Sequence, residues 1–484
     1  MKHILIIGGG AAGLSAAVTA AEAGAAVTVL EGRKYPGGNG RYAEGVFAAG
    51  SRLQRRLNID ADPEVLFRQA MEFSHWRSNA RLVRALIGRS GETVDWLTDM
   101  GVPFSRVLHH MPNQTPEVFH MAYPAPTGLR VMKVLQARAE VLGVSLETET
   151  KARGLMYPGH GIVGARAAAD PRVSGATAVT PDTPADELRV YKNYDAVLIA
   201  TGGFGGNPEL MRQMIPDCDP EDYARLKGIP MNGDGFRMAR SAGAHTPRDI
   251  AIEGCGPVYH GRGELTALIR RPECLWLNAH GQRFCDESIC SDFIYGQNAL
   301  ARQPGRYCYA VMDAASVRRA FEAPPGLMAP LDAEDNGMAK LYDVIEAEIP
   351  KDGVVRADTL EELAKDTGLG DGLLAEVAAY NAACAAGHDS LFGKDRRSLH
   401  PITEPPFYAV YAGLDIITTH GGIAVDEHMR VVDEGGRPIP GLYAAGIDIS
   451  GVDSGDYSVG LSGHAFGFSL TGGRIAAESM LEYS

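Results

Sequence analysis

The sequence has little sulfur chemistry to offer. Its seven cysteines (Cys218, Cys255, Cys274, Cys285, Cys290, Cys308, Cys384) include no C-x-x-C pair. Cys285 and Cys290 have four residues between them and read as ordinary reduced thiols rather than a metal or redox pair. No iron–sulfur or haem-attachment motif is present, so any cofactor must be held without cysteine. Long hydrophobic runs are missing too, since no stretch approaches the ~20 apolar residues needed to span a bilayer. Met1-Lys2-His3 starts basic, but only Ile4 to Ile7 follow before glycine, too short for the hydrophobic core of a signal peptide. A basic excess is also lacking: 46 Lys+Arg against 60 Asp+Glu give a net charge of -14. Such a surface repels phosphate backbones and anionic headgroups. The expectation is a cytoplasmic protein with no nucleic-acid partner and no membrane span.

What the chain does have is glycine. Its 484 residues hold 58 of them, about 12% against a usual ~7%. They fall in short clusters between apolar runs rather than in repeats, so the clusters mark places rather than a fibrous or low-complexity chain. Hydrophobic residues make up 45% and charged residues 22%, enough for a large core in several domains.

The first cluster follows a short apolar run, Lys2 to Ile7, as expected of a buried parallel strand. Ala11 to Ala23 then reads as an alanine-rich helix ending at Gly24, and Ala26 to Leu30 as a second strand ending in Glu31. Between the first strand and the helix, Gly8-Gly9-Gly10-Ala11-Ala12-Gly13 fits G-x-G-x-x-G. Gly8 permits the tight turn, Gly10 lets backbone approach a pyrophosphate, and Gly13 lets helix and strand pack closely. Glu31, 18 residues after Gly13, is placed to accept from ribose hydroxyls and would repel a 2′-phosphate.

Three further clusters distinguish FAD from NAD. Gly37-Gly38-Asn39-Gly40 lies just past the second strand. Ala200-Thr201-Gly202-Gly203-Phe204 ends a third buried strand, Tyr194 to Ala200. Ile439 to Gly446 repeats the strand-into-glycine pattern near the C-terminus. Repeated returns of bare backbone to one site suit an extended flavin dinucleotide. Pro63 to Leu97 reads as helical with breaks near Ser78 and Gly91, with Met71 to Trp76 in the core. Gly128 to Gly143 and Leu360 to Ala385 are helices, and a final helix covers Gly463 to Met480. From about Glu253 to Val410 the glycine clusters thin out, strands are short (Cys274 to Asn278, Tyr307 to Asp313) and Pro324-Pro325 and Pro405-Pro406 mark turns. The economical reading is an FAD-binding domain in two parts, residues 1–254 and 411–484, interrupted by a domain over 255–410.

These motifs, in this order and over nearly the whole length, resemble the fumarate reductase/succinate dehydrogenase flavoprotein family, which includes 3-ketosteroid dehydrogenases and tricarballylate-dehydrogenase-like proteins. The likeness is carried by the opening fingerprint, Gly37 to Asn39, Ala48-Ala49-Gly50, Ala200 to Phe204 and Asn232-Gly233-Asp234-Gly235. It continues through Asn278 to Phe284, Gly421-Gly422 and Pro440 to Gly446. The resemblance implies an α/β fold: a Rossmann-like FAD-binding domain of glutathione-reductase type interrupted by an α+β capping domain. It implies hydride transfer between flavin N5 and a C–C bond beside a carbonyl or carboxylate. Cofactor contacts are expected from Gly8, Gly10, Ala12, Gly13, Glu31, Gly38, Asn39, Gly40, Ala49, Gly50, Thr201, Gly202, Gly203, Asp234 and Gly446. Asp448 stands in for the acid that relatives place after Ala-Ala-Gly, where this chain has Ile447. Backbone N–H groups at Leu461 and Ser462 are expected near flavin N1 and O2. The covalent-attachment histidine of succinate dehydrogenases aligns near Asn39, which implies noncovalent FAD.

The departures fall on the substrate. The two histidines and the arginine that clamp a dicarboxylate in fumarate reductases align with Gly256, Thr418 and Gly460, and the acid arginine with Ser291. Fumarate is therefore not the expected substrate. Proton chemistry is assigned instead to Tyr457, near which ketosteroid- and tricarballylate-type relatives also carry a tyrosine, and to His420, beside Gly421-Gly422. Each also has a plain reading, Tyr457 as a packing residue and His420 as a hydrogen-bonded structural histidine. His464, opening the last helix, is a weaker candidate. Arg283 and Glu287 read as a structural ion pair, and Arg270-Arg271 as solvated charge. His109-His110 and His120 lack a third ligand at metal spacing, so no metal site is expected. The expected activity is a dehydrogenase or ene-reductase working with a separate electron donor or acceptor. The alternatives are an unsaturated-carboxylate reductase of fumarate-reductase type, and a flavin-binding electron carrier or regulator without C–C chemistry.

Overall fold

A computed structural model describes residues 1–109, 116–123, 126–157, 172–184, 187–215, 218–226, 228–260, 263–322, 337–351 and 353–483. His110 and Pro324-Pro325 lie outside these. The chain forms two compact units. One comprises Met1–Asp217, Gly228–Glu253 and Thr418–Ser484, and the other Cys218–Lys227 and Gly254–Ile417.

The first unit is built on a six-stranded sheet in the order Arg430–Val432, Pro438–Ala444, Ala196–Ile199, His3–Ile7, Ala26–Leu30, Ser145–Glu147. All neighbours pair in parallel except Arg430–Val432, which runs antiparallel to Pro438–Ala444. Ile4, Leu5 and Ile6 are wholly buried, as are Val197, Leu198 and Ile199. Continuous apolar runs of this kind are what a parallel strand covered on both faces requires. The helix Ala11–Glu22 follows the first strand, and the C-terminal helix His464–Tyr483 packs against it. Their approach depends on Gly473, where a Cβ would lie 2.2 Å from the Ala12 carbonyl oxygen. The fold is thus the Rossmann-like α/β arrangement that the sequence indicated.

Helices Pro63–Phe73 and Ala80–Asp99 replace the single interrupted stretch expected there. The break near Ser78 is real: Asn79 caps the second helix by accepting from Leu82 N at 3.3 Å. Gly91 is not a break. It sits inside the helix because a Cβ there would come within 2.3 Å of the Ala49 carbonyl, so its smallness serves packing. Met71 is buried as expected, but Trp76 is 61% exposed and adopts φ +60°, so the core reading fails at that residue.

The second unit holds a sheet in the order Tyr223–Leu226, Phe407–His420, Cys308–Asp313, Leu275–Leu277, with Val354–Ala357 and Ala251–Val258 also paired to the long strand. That 14-residue strand was not anticipated, because Pro405-Pro406 hid its start. The expected helix Leu360 to Ala385 is two helices, Leu360–Thr367 and Gly370–Ala386. They part at Gly368, whose φ of +73° closes the first as a left-handed C-cap. Helices and a mixed sheet give this unit the α+β character expected of the inserted domain. Arg283 and Glu287 pair at 2.8 Å within a fully buried network that includes Asp389 and Lys394, the structural ion pair expected of them.

Candidate active site

The turn after the first strand is shaped by one contact. Gly8 donates its N–H to the Leu30 carbonyl at 2.8 Å and has φ +110°. A Cβ there would lie 2.2 Å from the Ala200 carbonyl oxygen. The following helix, Ala11–Glu22, has Gly10 at its N-cap and no capping side chain. A Cβ at Gly10 would meet nothing within 4 Å. The first-turn N–H groups therefore have no side-chain acceptor, and Gly10 in front of them borders open space, the condition for binding an anion. Behind it Ala12 and Gly13 are buried, and a Cβ at Gly13 would lie 1.8 Å from the Gly8 carbonyl oxygen. Glu31 closes this region. Its carboxylate accepts from Gly9 N at 2.8 Å and from Arg33 N at 2.9 Å. Burial pushes its pKa up, and the two backbone N–H groups only partly oppose that.

The neighbouring loops reach the same turn. A Cβ at Gly38 would lie 3.6 Å from the Gly10 Cα, and one at Gly40 would strike the Phe466 ring at 2.9 Å. Asn39 is engaged by backbone, accepting from Ile229 N at 2.7 Å. Ala49 donates to Ser90 Oγ at 3.0 Å, and Gly50 next to it has φ +71°. At the end of the third sheet strand, Gly203 is held close to the Thr419 carbonyl, 2.5 Å from where its Cβ would be. Asp448 accepts from Gly202 N at 2.7 Å and from the Thr201 hydroxyl, which itself accepts from Gly235 N at 3.1 Å. Burial lifts the Asp448 carboxyl to about 6. Asp234, at the start of a helix, pairs with Lys151 at 2.8 Å and Arg237 at 2.7 Å. Gly446 sits 3.2 Å (from its Cβ position) from Ala12 Cβ. The Leu461 N–H donates to the Ser458 carbonyl at 3.1 Å, and Ser462 is buried. Asn39, Asp234, Asp448 and the Leu461 N–H thus each have a partner within the chain. Helix end, acid and glycine cradle together fit the ADP half of FAD.

The titratable candidates converge. Tyr457, His420 and His464 are all buried. The Tyr457 ring stacks on His464 with centroids 4.4 Å apart and planes inclined by 27°. It meets His420 edge-on at 5.0 Å. His420 Nε2 lies 2.9 Å from Glu253 Oε2, and its Nδ1 lies 3.3 Å from Asp453 Oδ2. His464 hydrogen-bonds through Nε2 to Asp453 at 3.0 Å and through Nδ1 to the Leu461 carbonyl at 3.0 Å. Burial pulls His420 down, but Asp453 and Glu253 on either side more than reverse this and raise it to about 9. Burial also raises the Tyr457 hydroxyl well above 10, reinforced by the charges of Glu253 and Asp453. At neutral pH His420 is an imidazolium and Tyr457 a phenol, so both carry protons to give.

Glu253 and Asp453 were missed in the sequence. Glu253 had a signal, as the lone carboxylate in the otherwise apolar strand Ala251–Val258, since buried charges are seldom left unpaired. Asp453 sits in a polar run, Gly451 to Asp456, that looks like any loop. His420, Asp453 and His464 bring ligand atoms within 4.8 Å of one another, a spacing already accounted for by the hydrogen bonds just described. His120, among the residues weighed for metal, instead bonds Ser51 at 2.7 Å.

A largely parallel sheet with a bare helix end and an acid at the end of the next strand is the arrangement of a dinucleotide-binding oxidoreductase, and the same unit holds a buried set of proton-bearing side chains. The chain belongs to the FAD binding domain family, whose model matches residues 3–460. FAD is its cofactor, and its chemistry is oxidoreduction at C–C bonds. It is 30% identical to a vinyl phenol reductase from Lactiplantibacillus plantarum, over 99% of this chain and 96% of that one. It is 28% identical to a fumarate reductase (cytochrome) from Shewanella frigidimarina, over 99% of this chain and 77% of that one. Among solved structures it resembles a 3-ketosteroid-Δ4-(5α)-dehydrogenase from Rhodococcus jostii, with a TM-score of 0.73 and 25% identity over 99% of this chain and 97% of that one. Among the described residues no helix is long and apolar enough to cross a membrane.

Proposed function

We propose that the protein interconverts a saturated and an unsaturated C–C bond activated by a neighbouring carbonyl, carboxylate or comparable conjugated group, with Tyr457 and His420 managing the proton. The single observation that carries this is the buried array of one phenol, two imidazoles and two carboxylates in the FAD-binding unit. When bound, FAD supplies the two-electron step, exchanging a hydride with carbon. The proton is left to the chain. Tyr457, held as a phenol, donates a hydrogen bond to the activating oxygen or a proton to carbon, and His420 is its charged neighbour. Glu253 and Asp453 hold His420 between them and keep it protonated.

Noncovalent FAD is supported by Asn39, whose amide is engaged with the backbone of residue 229. The glycine-turn residues from Gly8 to Gly446, with Glu31, form its cradle, while Asp448, Leu461 and Ser462 are proposed to shape the cradle or line it. A dicarboxylate is disfavoured because Gly256, Thr418 and Gly460 present no cationic clamp. The full-length likeness to a vinyl phenol reductase makes vinyl phenol, alongside enones and enoates, a first compound to assay. Electrons are proposed to reach or leave the cofactor through a separate carrier. The seven cysteines form no disulfide, which favours a reducing, cytoplasmic setting. The site assignment is tested by Tyr457→Phe and His420→Ala. Loss of turnover by roughly two orders of magnitude or more with FAD still bound is expected; unchanged turnover in both variants refutes the assignment.

A further inference from the structure

A small cleft in the FAD-binding unit runs in beside the end of the helix Pro63–Phe73. Its wall combines apolar residues such as Val83 and Phe468 with Ser74, Ser454, Ser458 and the exposed Asp456. Of the five clustered groups of the active site, Asp453 is the one that lines it. The three serines are buried, and behind them Ser78 Oγ donates to the Val452 carbonyl at 2.8 Å and lies 3.5 Å from Ser454 Oγ. Ser458 donates its backbone N–H to Asp453 Oδ1 at 3.1 Å, which orients the carboxylate with Oδ2 toward His420. Beyond His420 the polar atoms continue to Glu253 at 2.9 Å, and the Glu253 carboxylate in turn acts on the Tyr457 hydroxyl.

We infer that Asp453, His420 and Glu253 form a proton path connecting water in this cleft to the Tyr457 hydroxyl. The inference rests on the reading of Tyr457 as the group that meets substrate. Reduction of a C=C bond adds a hydride to one carbon and a proton to the other. The proton leaves the Tyr457 hydroxyl, so an O–H bond breaks as a C–H bond forms. Tyr457 is reprotonated by Glu253, and Glu253 by the Nε2–H of His420. A half-turn of the now neutral ring brings its bare nitrogen to Asp453, which delivers a proton drawn from the cleft. No electrons move in the relay, and dehydrogenation runs it backwards. The path matters because a bound substrate shields the site from water on its own side, as closed active sites commonly require. His464, stacked on Tyr457 and bonded to Asp453, is a positioning residue for both.

The test fills the cleft without touching the relay. Ser454→Leu and Ser74→Leu are compared with the wild-type holoenzyme in H2O and D2O, using a compound that the wild type turns over. The expected result is turnover slowed roughly tenfold or more and an enlarged solvent isotope effect, with the FAD absorbance spectrum and melting curve retained. Asp453→Asn supplies a second arm, in which added formate, a small carboxylic acid, restores part of the lost rate. Filled variants that bind FAD and turn over at the wild-type rate with an unchanged isotope effect overturn the path, as does Asp453→Asn that is not rescued. A wild type that turns over no compound is a different failure and counts against the proposed function itself.

Discussion

His420 and Glu253 stand 167 residues apart in the chain and meet at 2.9 Å in the fold. With Asp453 on its other side, His420 is a cation buried between two carboxylates, and its protonation is coupled to folding. Its folded pKa is raised to about 9 from an ordinary 6.5. The stabilisation is fully present below pH 6.5 and is lost as pH rises through about 9. Urea unfolding at pH 6.5, 8 and 9.5 is expected to show stability falling with pH, by on the order of 3 kcal/mol in all. His420→Gln flattens that fall. Identical slopes in variant and wild type would contradict the buried pairing.

Glu31 organises the cofactor turn by accepting from Gly9 N and Arg33 N. Glu31→Ala removes both acceptors and the ribose contact proposed for it. FAD affinity is expected to fall by roughly ten- to a hundredfold, the scale of one or two hydrogen bonds to a charged group. Titration of the apoprotein, followed by flavin fluorescence, measures it. Affinity within twofold of wild type would count against the placement of the adenosine end.

Much of this cofactor turn was readable in the sequence, and for a physical reason. Its determinants are local: an apolar run, glycines where backbone must approach backbone, and an acid at a fixed distance. Tyr457, His420 and His464 were also visible, as residue types close to glycine turns. What the sequence could not show is that they touch, because the loops between them fix no distance and Glu253, the partner His420 and Tyr457 share, is separated from them by the whole stretch Gly254–Ile417. Glu253 and Asp453 gain their meaning only from that closure. Gly91 misled for the opposite reason. A glycine in a helix reads locally as a break, whereas its place is fixed by the distant Ala49 carbonyl.

Two glycines at family substrate positions behave differently. A Cβ at Gly256 would lie 2.6 Å from Leu414 Cδ2 and 3.0 Å from Gln297 Cα, whereas one at Gly460 would meet only Ser458 Oγ at 3.8 Å. Gly256→His should cost about 1–3 kcal/mol of stability through overpacking, and Gly460→Arg less than about 0.5 kcal/mol. Neither is expected to confer fumarate reduction. Thermal melts and a fumarate assay check both statements, and a stable Gly256→His variant would show that the space is not filled.

In the second unit, Arg283 neutralises Glu287 and Asp389 away from water. Arg283→Met leaves those carboxylates short of a buried cation, and the expected cost is about 3–5 kcal/mol. Denaturant unfolding monitored by intrinsic fluorescence reports on this unit directly through Trp276, which is fully buried within it. A loss below about 1 kcal/mol would mean that water or Lys394 compensates.

The most direct test of C–C redox chemistry is anaerobic mixing of photoreduced holoenzyme with vinyl phenol, enones and enoates, and of oxidised holoenzyme with their saturated counterparts. The flavin absorbance near its long-wavelength band is followed in both. At least one unsaturated compound is expected to reoxidise the flavin and appear as its saturated product, with solvent deuterium on carbon when the reaction is done in D2O. If no compound reoxidises the reduced flavin and none bleaches the oxidised form, the protein does no chemistry at C–C bonds and is a flavin carrier or regulator.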